Sequence, residues 1–309
     1  MMIGAAYLAY TAPSAQIVGN ASNFGINSTS NTVFSEERAL LFQSYSHAAY
    51  CSLKSIEKWS CGPCKIADPN FKAKAFYSHE TGMQAFVGKA ADGYIVVSFR
   101  GSSNILNWIQ NLNVPEITPY PKCKDCQVHK GFYDAWNSVR EGVVKEVVAL
   151  YRQSHQAQIF ITGHSLGAAV AAHCAAELGA SSQSLGLPIA GVYTYGQPRV
   201  GNSAFANFYG RGTRVSWRLT HWRDPVPQLP VNLPPLFKFK HIATEVFYNE
   251  ASSQHIVCDG SGEDAHCSNS LDFHLSVPDH LHYLNQSISK CDEEAASIVY
   301  DDGRYVGAM

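Results

Sequence analysis

The chain has 309 residues, of which 46% are hydrophobic and 16% are charged, and its formal net charge is −2. This composition is typical of a globular protein with a large buried core and excludes a disordered chain. The near-neutral charge argues against nucleic-acid binding, which needs a basic surface, and against a purely electrostatic attachment to membranes.

The N-terminal segment, residues 1–34, is interpreted as a signal peptide, a pro-segment or a linker. Its first half is apolar and built from small residues, but it lacks a basic region and a clean cleavage site. Its second half is rich in Asn, Ser and Gly. No apolar run reaches the roughly 18 residues that a transmembrane helix needs. We predict one folded domain over residues 35–291 and a C-terminal tail over residues 292–309.

Strands and helices alternate along the predicted domain. Apolar residues at helical spacing predict one helix over Glu36–Tyr50 and another that starts at Phe132. Short apolar or β-rich runs predict strands around the turn at Thr81-Gly82 and at Tyr94–Phe99, Ile159–Thr162, Val192–Tyr195 and Val215–Thr220. Such alternation indicates an α/β protein with a largely parallel central sheet and helices on its faces.

The most informative motif is Gly163-His164-Ser165-Leu166-Gly167, between a predicted buried strand and an alanine-rich helix. Gly-x-Ser-x-Gly in that setting is the nucleophile elbow of serine hydrolases. The two glycines are expected because side chains there would collide with the neighbouring strand and helix. The serine hydroxyl would then sit at a helix N-terminus, where developing negative charge is favoured. A chance occurrence of the motif is the alternative.

A nucleophilic serine needs a histidine base and a carboxylate that orients it, and in α/β-hydrolases both follow the serine in the chain. Asp224 directly follows the predicted Val215–Thr220 strand, although Asp before Pro225 is also a common turn residue. The candidate bases downstream are His274, His280 and His282. We expect His280 on a loop that points towards the sheet edge and His282 on the next face of a helix.

Nine cysteines are many for a cytosolic protein and favour an oxidising compartment. Three pairs are close in sequence: Cys61 with Cys64, Cys123 with Cys126, and Cys258 with Cys267. Cys51 and Cys291 remain, near the two ends of the core. Cys174 lies in the alanine-rich helix and is predicted to be a buried free thiol. Possible N-glycosylation sites at Asn20, Asn27 and Asn285 are consistent with secretion.

Trp59-Ser60-Cys61-Gly62-Pro63-Cys64 resembles a thioredoxin redox motif, but no strand-like run precedes it and no sustained helical period follows it. A local disulfide loop is the favoured interpretation. The two Cys-x-x-Cys pairs are also too far apart for a zinc ribbon, so we predict no metal site.

Taken together, the motifs resemble the fungal class 3 (lipase-3) family of triacylglycerol lipases and related feruloyl esterases. They span about residues 36–291 in family order: Ser98–Ser102, Asn107–Ile109, Val128–Phe132, Thr162–Gly167, Gly196–Asn202, His221–Pro230 and Asp279–Leu281. The resemblance implies an α/β-hydrolase fold with a helical lid and no cofactor.

The resemblance also assigns roles to individual residues. It makes Ser165 the nucleophile, Asp224 the acid and His280 the base, and it gives Ser102 a place in the oxyanion hole. In α/β-hydrolases the residue after the nucleophile supplies one oxyanion donor through its backbone N–H, and here that residue is Leu166. Ser102 could also cap a helix. The disulfides implied by the resemblance are Cys51–Cys291, Cys61–Cys64, Cys123–Cys126 and Cys258–Cys267.

Segment 101–113 is the expected lid. Ile105, Trp108, Ile109 and Leu112 fall on one face of a short predicted helix, with Leu106 beside them. A core helix would show the same pattern, but the segment directly follows the oxyanion residue, where family lipases carry their lid. Tyr50, Val226 and Leu229 match positions that line the acyl site, and each could equally be plain core.

The sequence therefore predicts a secreted, monomeric serine ester hydrolase. The apolar lid favours a lipase that hydrolyses acylglycerols at a lipid–water interface. A feruloyl or short-chain carboxylesterase of the same fold is the first alternative, and a non-catalytic lipid-binding homologue is the second.

Overall fold

The computed structural model describes residues 33–110, 112, 115–154, 157–180, 187–213, 215–232, 238–288 and 291, with the backbone of 300–301 and 304–305. Segment 1–34 therefore lies almost entirely outside the described residues, as do Asn20, Asn27 and most of the tail. The boundaries of the domain at residues 35 and 291 stay a prediction.

The described strands, in chain order, are β1 (Lys72–Tyr77), β2 (Gln84–Lys89), β3 (Ile95–Phe99), β4 (Glu116–Ile117), β5 (Val128–His129), β6 (Ile159–His164), β7 (Ile189–Tyr195), β8 (Gly201–Asn202), β9 (Ser216–His221), β10 (Phe239–Lys240), β11 (Glu245–Tyr248), β12 (His255–Val257), β13 (His282–Tyr283), β14 (Gln286–Ser287), β15 (Tyr300–Asp301) and β16 (Arg304–Tyr305). The helices are α1 (Glu36–Ala48), α2 (Leu53–Lys58), α3 (Gly62–Ala67), α4 (Ile105–Gln110), α5 (Lys130–Gln153), α6 (Leu166–Ala175), α7 (Ser203–Gly212) and α8 (Val277–Leu281). None of these described helices is both long enough and apolar enough to cross a bilayer.

The main sheet has eight strands in the order β1-β2-β3-β6-β7-β9-β11-β12. The five strands from β3 to β11 run parallel to one another, and β1, β2 and β12 are added antiparallel at the two edges. A smaller antiparallel sheet of four short strands, β10-β8-β5-β4, lies apart from it. The predicted mostly parallel sheet is thus confirmed.

Helices cover both faces of the main sheet because its central strands are apolar on both sides. Val97 belongs to a core shared with α5 and α6, whereas its neighbour Val96 belongs to the opposite core, shared with α1, α2 and α3. All five residues of β3 and all six of β6 are buried. The site-bearing turn after β6 is therefore mounted on a rigid layer.

The predicted α/β architecture with a mostly parallel central sheet is confirmed, but three positional predictions are wrong. Helix α4 ends at Gln110, so Leu112 lies beyond the helix that was expected to include it. His280 lies in the last turn of α8 rather than on a loop, and His282 begins strand β13 rather than continuing a helix. A five-residue helix is too short to produce a sequence period that could place its end.

The structure contains the four disulfides that the resemblance implies, Cys51–Cys291, Cys61–Cys64, Cys123–Cys126 and Cys258–Cys267. Cys174 is free and buried in α6, as predicted. The Cys-Gly-Pro-Cys segment follows the short helix α2 and begins the short helix α3, so it lacks the preceding strand and the long helix of a thioredoxin site.

Candidate active site

Ser165 occupies the turn between β6 and α6 in a backbone conformation that L-residues rarely adopt, with φ 58° and ψ −129°. The flanking glycines make this turn possible. A Cβ on Gly163 would lie 2.4 Å from the carbonyl oxygen of Gly167, and a Cβ on Gly167 would lie 2.2 Å from the carbonyl oxygen of Phe99 in β3. The collisions expected from the sequence, with the helix and with the neighbouring strand, are therefore confirmed.

The elbow is fixed on the sheet by its own backbone. Ser165 N–H donates to the carbonyl of Tyr195 at the end of β7, at 2.9 Å. The side chain is buried, and its Oγ has no hydrogen-bond partner among the residues that the structure describes. It does not cap α6. A buried hydroxyl without a partner costs free energy, which points to a role in binding or chemistry.

Asp224 and His280 form a buried pair. Nδ1 of His280 lies 3.0 Å from Oδ1 and 2.9 Å from Oδ2 of Asp224. Because the carboxylate can only accept, Nδ1 carries a hydrogen, and in the neutral form of the ring Nε2 is then the acceptor. Like Ser165 Oγ, Nε2 is buried and has no partner among the described residues. A histidine in this state can take a proton from a hydroxyl.

Two further groups hold the Asp224 carboxylate. The backbone N–H of Val226 donates to Oδ1 at 2.8 Å, and the hydroxyl of Tyr283 donates to Oδ2. Burial, followed by the negative charge of Asp224, raises the pKa of the Tyr283 hydroxyl well above its ordinary value, so it stays protonated and donates. Close packing leaves room only for glycine at Gly196, where a Cβ would lie 2.8 Å from the His280 ring and 2.9 Å from Asp224.

The short helix α8 is tied to the end of β9, which carries Asp224 just beyond it. His221 Nδ1 lies 3.0 Å from the carbonyl of Asp279, and the Arg223 N–H donates to the Asp279 carboxylate at 3.1 Å. Ser276 N–H donates to the Arg223 carbonyl at 3.1 Å, and the Ser276 hydroxyl caps α8. These contacts fix the distance between the acid and the histidine.

His164, inside the elbow motif, connects the elbow to the histidine. Its ring centroid lies 4.5 Å from that of His280, and its Nε2 donates to the His280 carbonyl at 2.8 Å. Its Nδ1 accepts from the Tyr50 hydroxyl at 2.7 Å. Burial, followed by the charge of His280, lowers the pKa of His164 well below its usual value, so His164 stays neutral. With both ring nitrogens hydrogen-bonded, it is a satisfied structural histidine.

The two other candidate bases do not reach the acid. His274 Nε2 lies 3.0 Å from the carbonyl of Ser268, and His282 is exposed with its Nδ1 3.2 Å from the carbonyl of Pro278. Among the three predicted candidates, only His280 pairs with Asp224.

One predicted oxyanion residue is next to Ser165 in the chain, and the other follows a glycine that packs against it. Leu166 is the first residue of α6. Ser102, half-buried, follows Gly101, where an added Cβ would lie 3.0 Å from the Ser165 Cβ and 2.2 Å from the Tyr50 hydroxyl oxygen. The side chain that caps α4 is Asn104, whose Oδ1 accepts from Asn107 N–H at 3.2 Å. The alternative role of Ser102 as the helix cap is therefore wrong, and its loop passes directly over the elbow.

Helix α4 presents one side to the protein and one side to solvent. Ile105, Trp108 and Ile109 are half-buried, whereas Leu106 is 55% exposed. The Trp108 ring stacks on Phe132 of α5, with centroids 6.0 Å apart, and Leu112 also packs against that core. Three of the residues expected on the apolar face of the lid are thus half-buried together, and the role of α4 as a lid stays a prediction.

The three predicted acyl-site residues differ in their burial and in how they connect to the Asp224–His280 pair. Val226 is fully buried in a short 3₁₀ turn after Asp224, and Leu229 is half-buried just beyond that turn. Tyr50 reaches the site through its bond to His164. Whether the three line an acyl site stays a prediction.

Two cysteine-containing clusters have metal-ligand spacing among the described residues. Both consist largely of disulfide-bonded sulfurs, which cannot act as thiolate ligands: Cys51, Cys61 and Cys291 in one and Cys258 and Cys267 in the other. The expectation of no metal stays a prediction.

Comparison with known proteins gives this site a context. The sequence profile of the family described as Lipase (class 3) matches residues 96–233. The chain is 35% identical to a lipase of Rhizomucor miehei over 236 residues, which are 75% of this chain and 64% of that protein. It is 34% identical to secreted mono- and diacylglycerol lipase 1 of Fusarium solani over 261 residues, which are 80% of this chain and 75% of that protein.

The chain belongs to the class 3 lipase family. The solved structure of a triacylglycerol lipase whose catalytic centre is formed by a serine-protease triad superposes with a TM-score of 0.74, at 32% identity, over 83% of this chain and 97% of that one. The family predicted from the motifs is thus confirmed.

Within this lipase fold, three contributors to the site were missed by sequence reasoning. Gly196 directly follows a predicted strand and Gly101 lies two residues after another, and a glycine just beyond a strand could have signalled close approach to a site. Tyr283 offered no signal, because its contact with Asp224 spans 59 residues.

Proposed function

We propose that this class 3 lipase family member is a serine ester hydrolase that acts on acylglycerols at a lipid–water interface. The observation that carries the proposal is the Asp224–His280 pair, whose buried Nε2 has no partner among the described residues, as is also true of the buried Ser165 Oγ. The ring of His164, the residue before Ser165, lies against that of His280, with the centroids 4.5 Å apart. Structural polar groups are normally satisfied, so two buried orphans on neighbouring elements favour a catalytic role.

The proposed reaction uses the geometry of the pair. Ser165 Oγ attacks the ester carbonyl while His280 Nε2 takes its proton, and the imidazolium then protonates the leaving alcohol. Asp224 holds the histidine tautomer and stabilises its positive charge, and Tyr283 holds Asp224 in turn. A water molecule repeats the sequence on the acyl-enzyme and releases the fatty acid.

Oxyanion stabilisation is proposed for Leu166 and Ser102. The Leu166 N–H lies at the start of α6, where the backbone N–H groups have no partner within the helix. Ser102 would add its N–H and hydroxyl from the loop that packs on the elbow. Loss of one such donor typically lowers kcat by about a hundredfold or more.

An acylglycerol at an interface fits the apolar surface around the site. Helix α4 holds Ile105, Trp108 and Ile109 half-buried, and its opening would expose them together. On the loop that leads to His280, Phe273 is 65% exposed and Leu275 is 82% exposed. The Fusarium solani relative, a secreted mono- and diacylglycerol lipase, supports the same substrate class.

The nucleophile is tested by comparing Ser165→Ala with the unchanged protein. The substitution should abolish ester hydrolysis and leave the thermal midpoint almost unchanged, because it removes only an unpaired hydroxyl. The matched control is Ser268→Ala, a buried serine outside the site. Ester hydrolysis that persists in Ser165→Ala would show that the assignment is wrong, and an unchanged protein without any esterase activity would support the non-catalytic homologue.

The substrate class is tested with emulsified long-chain triacylglycerols and diacylglycerols alongside soluble short-chain and feruloyl esters. We expect the rate on acylglycerol to rise sharply once the substrate exceeds its solubility. Activity confined to the soluble esters would instead favour the carboxylesterase or feruloyl esterase. The triad assignment would survive that outcome, because it rests on Ser165→Ala.

We further propose that the protein is secreted and monomeric. Four disulfides and secreted relatives support export to an oxidising compartment. Asn285, the one described glycosylation candidate, is exposed in the turn between β13 and β14. Detection of the protein in culture medium and light scattering of the purified chain would test these two points.

A further inference from the structure

Two disulfides, Cys51–Cys291 and Cys61–Cys64, lie against each other. The sulfur atoms of Cys51, Cys61 and Cys291 lie within 4.8 Å of one another, so the Cys61–Cys64 bond abuts the Cys51–Cys291 bond. Cys51, Cys61 and Cys64 are each at most 1% exposed. The proposed ester hydrolysis uses none of these sulfurs.

The two bonds have opposite roles in chain closure. Cys51–Cys291 joins residues 240 apart, whereas Cys61–Cys64 joins residues three apart. A three-residue loop costs little entropy to close, so it can form early, but it constrains the unfolded chain only slightly. A 240-residue loop forms late and constrains the chain strongly. Stabilisation alone is therefore a weak reason to place the short disulfide against the long one.

Cys61 is the sulfur suited to exchange. It lies beside both members of the long-range pair, whereas Cys64 is not part of the cluster. The backbone N–H of Cys64 donates to Cys61 Sγ at 3.2 Å. That donor would stabilise negative charge on Cys61 when its bond opens, as hydrogen bonds stabilise other thiolates.

We propose that Cys61 is an internal thiol–disulfide exchange centre that passes the Cys61–Cys64 disulfide to Cys51 and Cys291 as the chain folds. The Cys51 thiolate attacks Cys61 Sγ, the Cys61–Cys64 bond breaks, and Cys64 leaves as a thiolate that takes up a proton. The Cys291 thiolate then attacks Cys51 Sγ and displaces Cys61. One disulfide is consumed and one is formed, with no net change in electrons.

The product of the transfer is a Cys61, Cys64 dithiol, which a disulfide oxidant of the secretory compartment, such as oxidised glutathione, closes again. Two electrons then pass from the dithiol to the oxidant, which is reduced to two thiols. The short loop would thus act before the native state is complete, and the finished protein would contain both bonds, as observed.

The chain contains its own matched control. Cys123–Cys126 has the same three-residue spacing, but its sulfurs belong to no cluster found among the described residues, and Cys123 Sγ instead lies 3.6 Å from the carbonyl of Ala204. If the proposal is correct, the loop that exchanges is the one whose sulfur lies close to a second disulfide, and the Cys-x-x-Cys spacing alone is not sufficient.

The test uses Cys64→Ser, which leaves a Cys61 thiol beside an intact Cys51–Cys291 bond. After incubation at mildly alkaline pH, acid quenching, alkylation and peptide mapping should find the free thiol on Cys51 or Cys291 as well as on Cys61. In Cys61→Ser and in Cys126→Ser, the label should stay on Cys64 and on Cys123 respectively. A label confined to Cys61 in Cys64→Ser would overturn the proposal.

If Cys64→Ser does not fold, oxidative refolding of the full chain tests whether the relay operates. With glutathione buffer, a Cys51–Cys61 or Cys61–Cys291 cross-link should appear before the Cys51–Cys291 bond. Closure of that bond should be about tenfold or more slower in Cys61→Ser/Cys64→Ser, which lacks the neighbouring sulfur. Equal closure rates in this variant, the unchanged chain and Cys123→Ser/Cys126→Ser would reject the relay, whichever esters the protein hydrolyses.

Discussion

At the scale of single residues, the candidate site depends on side chains that hold other side chains. The Tyr283 hydroxyl donates to Asp224, which orients His280, and the His164 ring donates to the His280 carbonyl. The proposed base is therefore fixed at its ring and at its backbone. Such restraint limits the motion of Nε2 without placing another charged group in contact with the substrate.

Tyr283→Phe keeps the ring and removes the hydroxyl that supports Asp224. We expect kcat to fall about ten- to a hundredfold, because a hydrogen bond to a carboxylate contributes about 1.5–3 kcal/mol. KM should change little, since the hydroxyl bonds Asp224 rather than a substrate. The control is Tyr195→Phe, whose hydroxyl bonds the Ala39 carbonyl instead; equal kcat in both variants would contradict the positioning role.

His173 should make the protein sensitive to acid. Burial, followed by the charge of His129, lowers its pKa from the ordinary 6.5 to about 3. Between these two pKa values, His173 binds a proton in the unfolded chain but not in the folded chain. Stability from this group is thus complete above pH 6.5 and is lost as pH falls towards 3, at about 1.4 kcal/mol per pH unit.

The measurement is the free energy of unfolding by denaturant from pH 8 to pH 4 in the unchanged protein and in His173→Leu. The variant will be less stable at neutral pH, because the Tyr120 hydroxyl loses its partner at Nδ1. The informative quantity is the slope of the unfolding free energy against pH. Below pH 6.5 this slope should be shallower in the variant by about 1.4 kcal/mol per pH unit. Parallel slopes would show that His173 is protonated in the folded state.

At the scale of elements, α4 has two different faces. Its inner face is fixed to α5 by the Trp108–Phe132 stack, while Leu106 faces solvent. A six-residue helix has little intrinsic stability, so its position depends on these contacts. The lid movement proposed above would therefore require only these contacts to break.

Trp108→Ala removes the stack and should favour the open position. An aromatic pair contributes about 0.5–1.5 kcal/mol beyond its buried area, so we expect the rate on a soluble ester without an interface to rise about two- to tenfold. The advantage of an emulsion over the soluble ester should shrink by the same factor. Leu106→Ala, on the exposed face of the same helix, should leave the soluble-ester rate unchanged; a similar rise there would indicate a general loosening.

At the scale of the whole molecule, the Cys51–Cys291 bond ties the end of α1 to the end of the described domain. Chain-entropy arguments give about 5 kcal/mol for a closed loop of 240 residues and about 1.5 kcal/mol for one of three. Cys51→Ser/Cys291→Ser should therefore lose much more stability than Cys123→Ser/Cys126→Ser. Denaturant titration measures both losses, and equal values would show that residual structure in the unfolded chain governs the effect.

The sequence by itself determined the features whose residue types are dictated locally. Gly163 and Gly167 were predictable because a tight turn between a buried strand and a helix excludes Cβ atoms. Strands β3, β6 and β7 were predictable because strands buried on both faces are largely apolar. The family resemblance, carried by several motifs in order, supplied the triad and disulfide assignments.

Only the tertiary structure decided which distant side chains meet. Without the family resemblance, His274, His280 and His282 all stay open as bases. The packing of α8 against the end of β9 brings His280, rather than the others, to Asp224. The end of α4 before Leu112, the support from Tyr283 and the meeting of two disulfides at Cys61 depend in the same way on contacts between remote segments. Local sequence restricts the backbone conformation of each segment. These contacts instead arise from the packing of segments over the whole sheet, and the hydrophobic periodicity of the sequence does not predict them.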